Sequence, residues 1–262
     1  AEYDATVPDN TDPKAPISTR YLQDFGDPSG HGTHVTSILA SSDNWGAGKY
    51  EGVAPGVKLV SVRAFGKDGS GRYYDVIRAI DWVVANRQAF NIRVLNLSFS
   101  ATPQSAYWDD PLNLAVMAAW KAGIVVVVAA GNDGSESHRL SSPAIDPYVI
   151  AVGAAEATSD NSFTVPDWAS SGDGVRNPDV AAPGAHIDSL RAPLSRIDTE
   201  HPEGFVTDEL FRGSGSSQAA AVVTGAVALL AGGALKGGRV AQRCVKAGSR
   251  AEIGRASCRE RV

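Results

Sequence analysis

Cysteine is almost missing from this chain of 262 residues: only Cys244 and Cys258 occur, both close to the C-terminal end. Everything before them is closed to disulfide and thiol chemistry and suits a reducing or an oxidising compartment alike. Long apolar runs are missing as well. The longest, Ile124 to Ala130, has the length of a strand, far below the ~18 residues of a membrane span, so no span is expected. Positive charge is scarce in the body of the chain. Residues 232–262 hold eight Lys/Arg against two Asp/Glu, a charge of +6, which leaves sixteen basic and twenty-seven acidic residues elsewhere, a charge of −11. An acidic body lacks the electrostatic footprint of a nucleic-acid binder. No loop gathers carboxylates at ligand spacing, so no metal site is predicted, and a structural calcium is left open. No basic-then-apolar leader opens the chain, and its first residue, Ala1, is not taken as a natural start.

What is there is ordinary globular material, 43% hydrophobic and 20% charged, long enough to bury a sizeable core. Residues 1–30 are rich in Asp, Pro and Ser/Thr and read as loop. Short β-branched runs follow at Leu59 to Arg63, Ile92 to Ser98, Ile124 to Ala130 and Val149 to Val152, with the look of strands buried on both faces. Between them, Tyr73 to Phe90 places Val76, Ile77, Ile80, Val83 and Val84 on one helical stripe. Leu112 to Ala122 is a second helix, entered by Pro111 and stopped by Gly123. Ala219 to Leu230 is a third, nearly all apolar and therefore central. This alternation predicts an α/β fold. Gly232, Gly233, Gly237 and Gly238 are expected to interrupt any helix beyond it. The last eleven residues, EIGRASCRERV, resemble the translation of a common sequencing adapter. The division expected is a domain over 1–231 and a basic, non-native tail over 232–262 without functional residues.

Three motifs could carry chemistry. Gly30-His31-Gly32-Thr33-His34-Val35 sets a histidine between glycines at the head of a helix-like run. A general base needs one ring nitrogen open and the other held, and glycines allow close approach; a loop histidine is the plainer alternative. His31 and His34 lack the third ligand of a zinc signature. Gly213-Ser214-Gly215-Ser216-Ser217-Gln218-Ala219 leads into the buried helix. There Ser217 would stand among free N–H groups that favour negative charge, with a plain helix cap as the alternative. Ala129-Ala130-Gly131-Asn132-Asp133-Gly134 ends an apolar strand, where α/β sheets bind ligands, and the Asn132 amide can donate to an oxyanion or simply close a turn. Taken together, in this order and in an α/β frame, the three outweigh their plainer readings.

From about Tyr21 to Leu230 the chain resembles the subtilisin-like serine proteases, the subtilase family. GHGTHV resembles the family's histidine motif, GSGSSQAAAVVTG its serine motif and AAGNDG its oxyanion segment. The resemblance implies a three-layer, mostly parallel sheet with helices on both faces. It implies His31 as general base, Ser217 as nucleophile and Asn132 as oxyanion donor. Gly69, Ser70 and Gly71 would pair with a substrate strand, faced by Leu97, Ser98 and Phe99, with Ala130 and Gly131 beside them. Polypeptide substrates, a monomer, secretion and no cofactor are further implications. An α/β-hydrolase is set aside, because here His precedes Ser and the elbow lacks its second glycine.

Some positions depart from the family pattern. Ser216 stands for threonine, Ala221 for proline, Val222 for histidine and Ser100 for glycine. The acid is the larger departure. The family carries it on an apolar strand ending Asp-Ser/Thr-Gly ahead of the histidine, and residues 1–30 contain no such tripeptide. Asp4 has a fitting separation from His31, but Glu2 to Thr6 makes a poor strand. Asp27 reads as a turn or pocket-rim residue, and Asp133 as a pocket rim or a solvated turn. The expectation is an N-terminally incomplete endopeptidase, weakly active or inactive as written. A protease-like binding module without activity is the alternative.

Overall fold

The computed structural model describes residues 2–6, 26–43, 50–160 and 162–233. Strand β6 (Val125–Ala129) is the centre of the molecule, with all five residues buried. Its side chains alternate. Val126, Val128 and the adjoining Ala130 enter one apolar cluster, and Val125, Val127 and Ala129 enter another. A run that feeds cores on both faces needs no polar residue, which is why the pattern IVVVVAA is continuous. Parallel neighbours flank it: β5 (Val94–Leu97) on one side and β7 (Ile150–Ala157) on the other. Beyond β7 come β9 (Val180–Pro183), parallel, and β8 (Phe163–Thr164), antiparallel.

Helices α2 (Tyr73–Asn86) and α3 (Pro111–Lys121) fill the first cluster through Val76, Ile80, Leu112 and Val116. Helix α5 (Ser216–Gly233) fills the second through Ala219 and Ala220. The result is helix, sheet, helix: the three-layer α/β architecture expected. Helix α3 begins as its sequence promised, with Asp110 accepting from the N–H groups of Leu112 (2.9 Å) and Asn113 (3.0 Å) and Pro111 in the first turn. Helix α1 (His31–Ala40) packs against α5 through Val35, Ile38, Leu39 and Ala221. Two small antiparallel ladders lie apart: β2 (Ser42–Asp43) with β3 (Tyr50–Glu51), and β10 (Ile187–Leu190) with β11 (Leu210–Gly213). The short helix α4 (Arg196–Glu200) lies between the last two strands.

Three expectations need correction. Residues 2–4 are strand rather than loop: β1 (Glu2–Asp4) runs parallel to β4 (Ser61–Arg63), with Tyr3 opposite Val62. The Tyr3 ring stacks on Trp82 of α2, centroids 4.7 Å apart. Tertiary pairing supplies what local propensity does not. Helix α2 stops at Asn86, four residues before the expected Phe90. Helix α5 extends through Gly232 and Gly233, which occupy its last turn instead of ending it earlier. Residues 234–262, with both cysteines, lie outside the described residues.

One topological fact bears on the site. Among the described residues β4 pairs only with β1, and β5 only with β6. No ladder joins β4 to β5, although α2 leads directly from one to the other.

Candidate active site

Helix α1 starts at His31 because of the two residues that hold its end. Gly30 sits at φ +87°, and a Cβ there would lie 2.3 Å from Ser195 Oγ, so both the backbone and the space demand glycine. The Asp27 carboxylate accepts from Gly30 N (2.9 Å), Thr33 N (2.7 Å) and Thr33 Oγ1 (2.9 Å). Asp27 is thus a cap whose charge faces the positive helix end. Burial lowers the pKa of the His31 imidazole, and the nearby Asp27 charge partly restores it. The ring is therefore the neutral, proton-accepting form at pH 7.

Beyond β6 the chain turns at Gly131, φ +120°, where a Cβ would lie 2.3 Å from Ser141 Oγ. Gly131 N donates to Ser216 Oγ (3.1 Å), and Ser216 N donates to Asn132 Oδ1 (2.8 Å). These bonds tie the strand end to the first turn of α5. They also fix the Asn132 amide, because its oxygen faces Ser216 N and its Nδ2 is left for the cleft.

Ser217 is the second residue of α5, half-buried, among the N–H groups that open the helix. Its Oγ donates to the Ser98 carbonyl (3.2 Å), and Ser98 Oγ donates back to the Ser217 carbonyl (2.9 Å). No hydrogen bond joins Ser217 to His31. The two residues and Asn132 instead line one cavity of about 370 Å³. Its far wall is made by Leu190, Ile197 and Phe211, with Asp198, His201 and Glu203 as polar groups.

The other sequence candidates lie elsewhere. Gly69, Ser70 and Gly71 are exposed on a turn in which the Asp68 carboxylate accepts from Ser70 N (3.0 Å) and Ser70 Oγ (2.6 Å). Leu97 is buried in the core, and Phe99 packs on Phe65, ring centroids 5.2 Å apart. None of these lines the cavity. Ala130 is fully buried, with its N–H on Val152 O (2.9 Å) and its carbonyl on Ser141 N (3.0 Å), and it does not line the cavity. Gly131 is likewise committed to the protein. Asp133 is exposed and outside the cavity, accepting from Ser141 Oγ at 3.4 Å.

No carboxylate among the described residues reaches His31. Asp4 is buried, accepting from Thr6 N (2.8 Å) and Thr6 Oγ1 (2.6 Å), with Arg63 Nη1 at 3.9 Å. Asp27 spends its oxygens on the cap. No group of three or more His, Cys, Asp or Glu among the described residues could hold a metal ion. Sequence reading missed Gln218 and the role of His34. The signal available was adjacency, since each lies within three residues of a motif residue, but their mutual contact spans the whole fold.

Comparison with known proteins identifies the family. The model of the subtilase family matches residues 3–247. Serine protease AprX of Bacillus subtilis is 38% identical over 216 residues, 78% of this chain and 49% of that protein. Subtilisin-like protease 1 of Arthroderma gypseum is 36% identical over 231 residues, 86% of this chain and 41% of that protein. The chain thus spans about half the length of these relatives or less. Among solved structures, a cold-adapted subtilisin-like serine proteinase aligns with a TM-score of 0.66 at 27% identity, covering 94% of this chain and 72% of that one. By its three-layer fold, its cleft and these matches, the chain belongs to the subtilase family.

Proposed function

We propose that this protein is a serine endopeptidase that cleaves polypeptides through an acyl-enzyme on Ser217. The observation that carries the reading is the meeting of His31, Asn132 and Ser217 in one cavity, with the serine at the opening of α5. The reading requires Ser217 Oγ to leave Ser98 O for His31, which lines the same cavity. Neutral His31 then takes the hydroxyl proton as Oγ bonds the scissile carbonyl carbon. The oxyanion accepts from Asn132 Nδ2 and Ser217 N, donors fixed before the reaction begins. His31 returns the proton to the departing amine, and water repeats the sequence to release the acid.

The acid that orients His31 is assigned to a strand outside the described residues. In support of this, β4 and β5 share no ladder among the described residues, and Asp4 and Asp27 are engaged elsewhere. Secretion and action as a monomer without a cofactor complete the proposal. Extracellular action is supported by a relative named minor extracellular protease Epr, from Bacillus subtilis, 30% identical over 210 residues. No helix among the described residues is long and apolar enough to cross a membrane.

Reaction with a serine-directed fluorophosphonate probe tests the reading. Labelling that disappears in Ser217→Ala and slows at least ~100-fold in His31→Ala supports it, the size being that of a lost general base. No labelling, together with retained binding of unstructured peptides, assigns the protein to the non-catalytic alternative.

A further inference from the structure

The connection from β10 to β11 is longer than turning the chain requires, and its first half is braced as a strap. Arg191 holds Asp198 with a fork of two bonds, Nε to Oδ1 and Nη2 to Oδ2 (2.8 Å), and Asp198 Oδ2 also accepts from Leu194 N (2.9 Å). The Arg191 guanidinium lies over the Phe205 ring, 5.0 Å from its centroid. A segment tied this firmly to itself can hold other parts of the molecule in place.

What it holds is the approach to His31. The first N–H groups of a helix have no partner within it. In α4 two of them reach across: Arg196 N donates to Pro28 O (2.8 Å) and Ile197 N to Ser29 O (3.1 Å). Ser195, just before them, fills the space that Gly30 leaves. The Arg196 side chain reaches a third part of the chain. Its Nε donates to Glu200 Oε2 (2.8 Å), and its Nη1 donates to the carbonyl of Asp68. One residue therefore bonds both the segment that leads into the base and the turn that precedes α2.

That turn is closed on itself: Gly66 N donates to Ser70 O (2.8 Å), Gly69 N to Gly66 O (3.0 Å) and Ser70 N to Asp68 Oδ1 (3.0 Å). Among the described residues, the Arg196 bond is the one hydrogen bond from residues 66–70 to another element. A Cβ on Gly69 would lie 3.4 Å from Ser29 Oγ and 4.0 Å from Arg196 Nη1, so the turn rests against both. Behind it Gly71 and Arg72 are exposed, with Arg72 extended (φ −82°, ψ 143°). No hydrogen bond engages the N–H or C=O of Gly71 among the described residues. Exposed, unpaired backbone is an edge that an extended peptide can pair with. Ile197, the neighbour of Arg196, lines the cavity, which puts the turn at its rim.

Resting on the acyl-transfer reading above, we propose that Arg196 is a positioning residue that sets the distance from His31 to the edge at Gly71, along which a polypeptide lies. Its backbone fixes one side through Pro28 O, and its guanidinium fixes the other through Asp68 O. A ligand too small to reach that edge gains nothing from the second bond.

The test separates the two kinds of ligand on the full chain. Labelling of Ser217 by a small alkyl fluorophosphonate reads the serine and its base: Oγ bonds phosphorus, fluoride leaves, and the hydroxyl proton passes to His31. An unstructured peptide long enough to reach from the cavity to Gly71 slows that labelling by occupying the cleft, and the concentration for half-protection reads its affinity. Arg196→Met keeps the backbone bond to Pro28 and loses the side-chain donor, whereas Arg196→Lys keeps a charged donor. In Arg196→Met the half-protecting concentration is expected to rise roughly tenfold, the loss of one charge-assisted hydrogen bond. Labelling without peptide should stay within about twofold of the parent, and Arg196→Lys should bind the peptide within about threefold of the parent. An unchanged half-protecting concentration in Arg196→Met, an equal fall in its labelling without peptide, a Lys variant no better than Met, or a peptide that fails to protect the unaltered protein overturns the proposal. Labelling that Ser217→Ala does not remove overturns the acyl-transfer reading itself, and it is read with no peptide present.

Discussion

His31 is held between two opposing influences, the desolvation that lowers its pKa and the Asp27 charge that raises it. Replacing Asp27 by Asn removes the second and leaves the first. The acid limb of the pH profile for ester turnover, where the base must be neutral, is therefore expected to move to lower pH. The same change weakens the α1 cap, so a stability loss of ~1 kcal/mol should accompany it. A limb that stays in place or moves to higher pH contradicts the electrostatic argument. Asp146 carries a separate titration. It is fully buried, one oxygen accepts from Tyr148 N (2.8 Å), the other has no partner, and burial pushes its pKa up to about 6. An unfolded aspartate titrates near 3.9, so the folded state binds the proton more tightly. The contribution of Asp146 to stability is then highest below about pH 4, falls as pH rises toward about 6, and is flat above, with a drop of about 3 kcal/mol. Denaturant titrations across this range should show the slope, and Asp146→Asn should remove it. His31, Asn132 and Ser217 were legible because each sits in a contiguous motif whose glycines and helix start can be read locally. The Gln218–His34–Phe211 chain was not, because an amide's orientation depends on a ring and a carbonyl far away in sequence.

Helix α5 presses unusually close to its neighbours, and Gly225 is the reason. A Cβ at this position would lie 2.6 Å from Val53 Cβ and 3.3 Å from the Leu39 carbonyl. In a free helix Gly→Ala gains ~1 kcal/mol. Here the added methyl meets a β-branched side chain that has no rotamer in which to retreat. Gly225→Ala is therefore expected to lower stability by roughly 1–3 kcal/mol, measured by chemical denaturation, and a stabilised variant would show that α5 can shift. Elements differed in how far their own sequence announced them. Strand β6 declared itself through five consecutive buried residues, and α3 through Asp110 and Pro111. Strand β1 did not, since Glu2-Tyr3-Asp4 becomes strand only by lying beside β4 and under Trp82. The β10–β11 ladder was equally silent, its strands separated by α4 and a loop.

Among the described residues, the edges of β4 and β5 that carry no second ladder are the least finished feature of the molecule. Exposed ladder groups invite a further strand, wanted or unwanted. An apolar segment carrying an aspartate, fused ahead of residue 1 or added as a peptide, is expected to raise Ser217-dependent ester turnover. Loss of the triad aspartate costs serine proteases roughly 10⁴-fold, which sets the largest gain available. Equal turnover with and without the segment would mean that an acid already present completes the site, with Asp4 the first to replace.

The cleft is closed by bonds between distant parts of the chain: His34 with Phe211 spans 177 residues, and Gln218 with His34 spans 184. Contacts of such separation form late, after the chain between them has ordered, and they slow folding. During synthesis the base emerges from the ribosome long before the nucleophile does. A nascent chain therefore carries no assembled hydrolytic cleft until α5 has been made and has docked. Under the proposed activity, this delay in the topology keeps the protein from meeting its own unfolded segments as a competent enzyme.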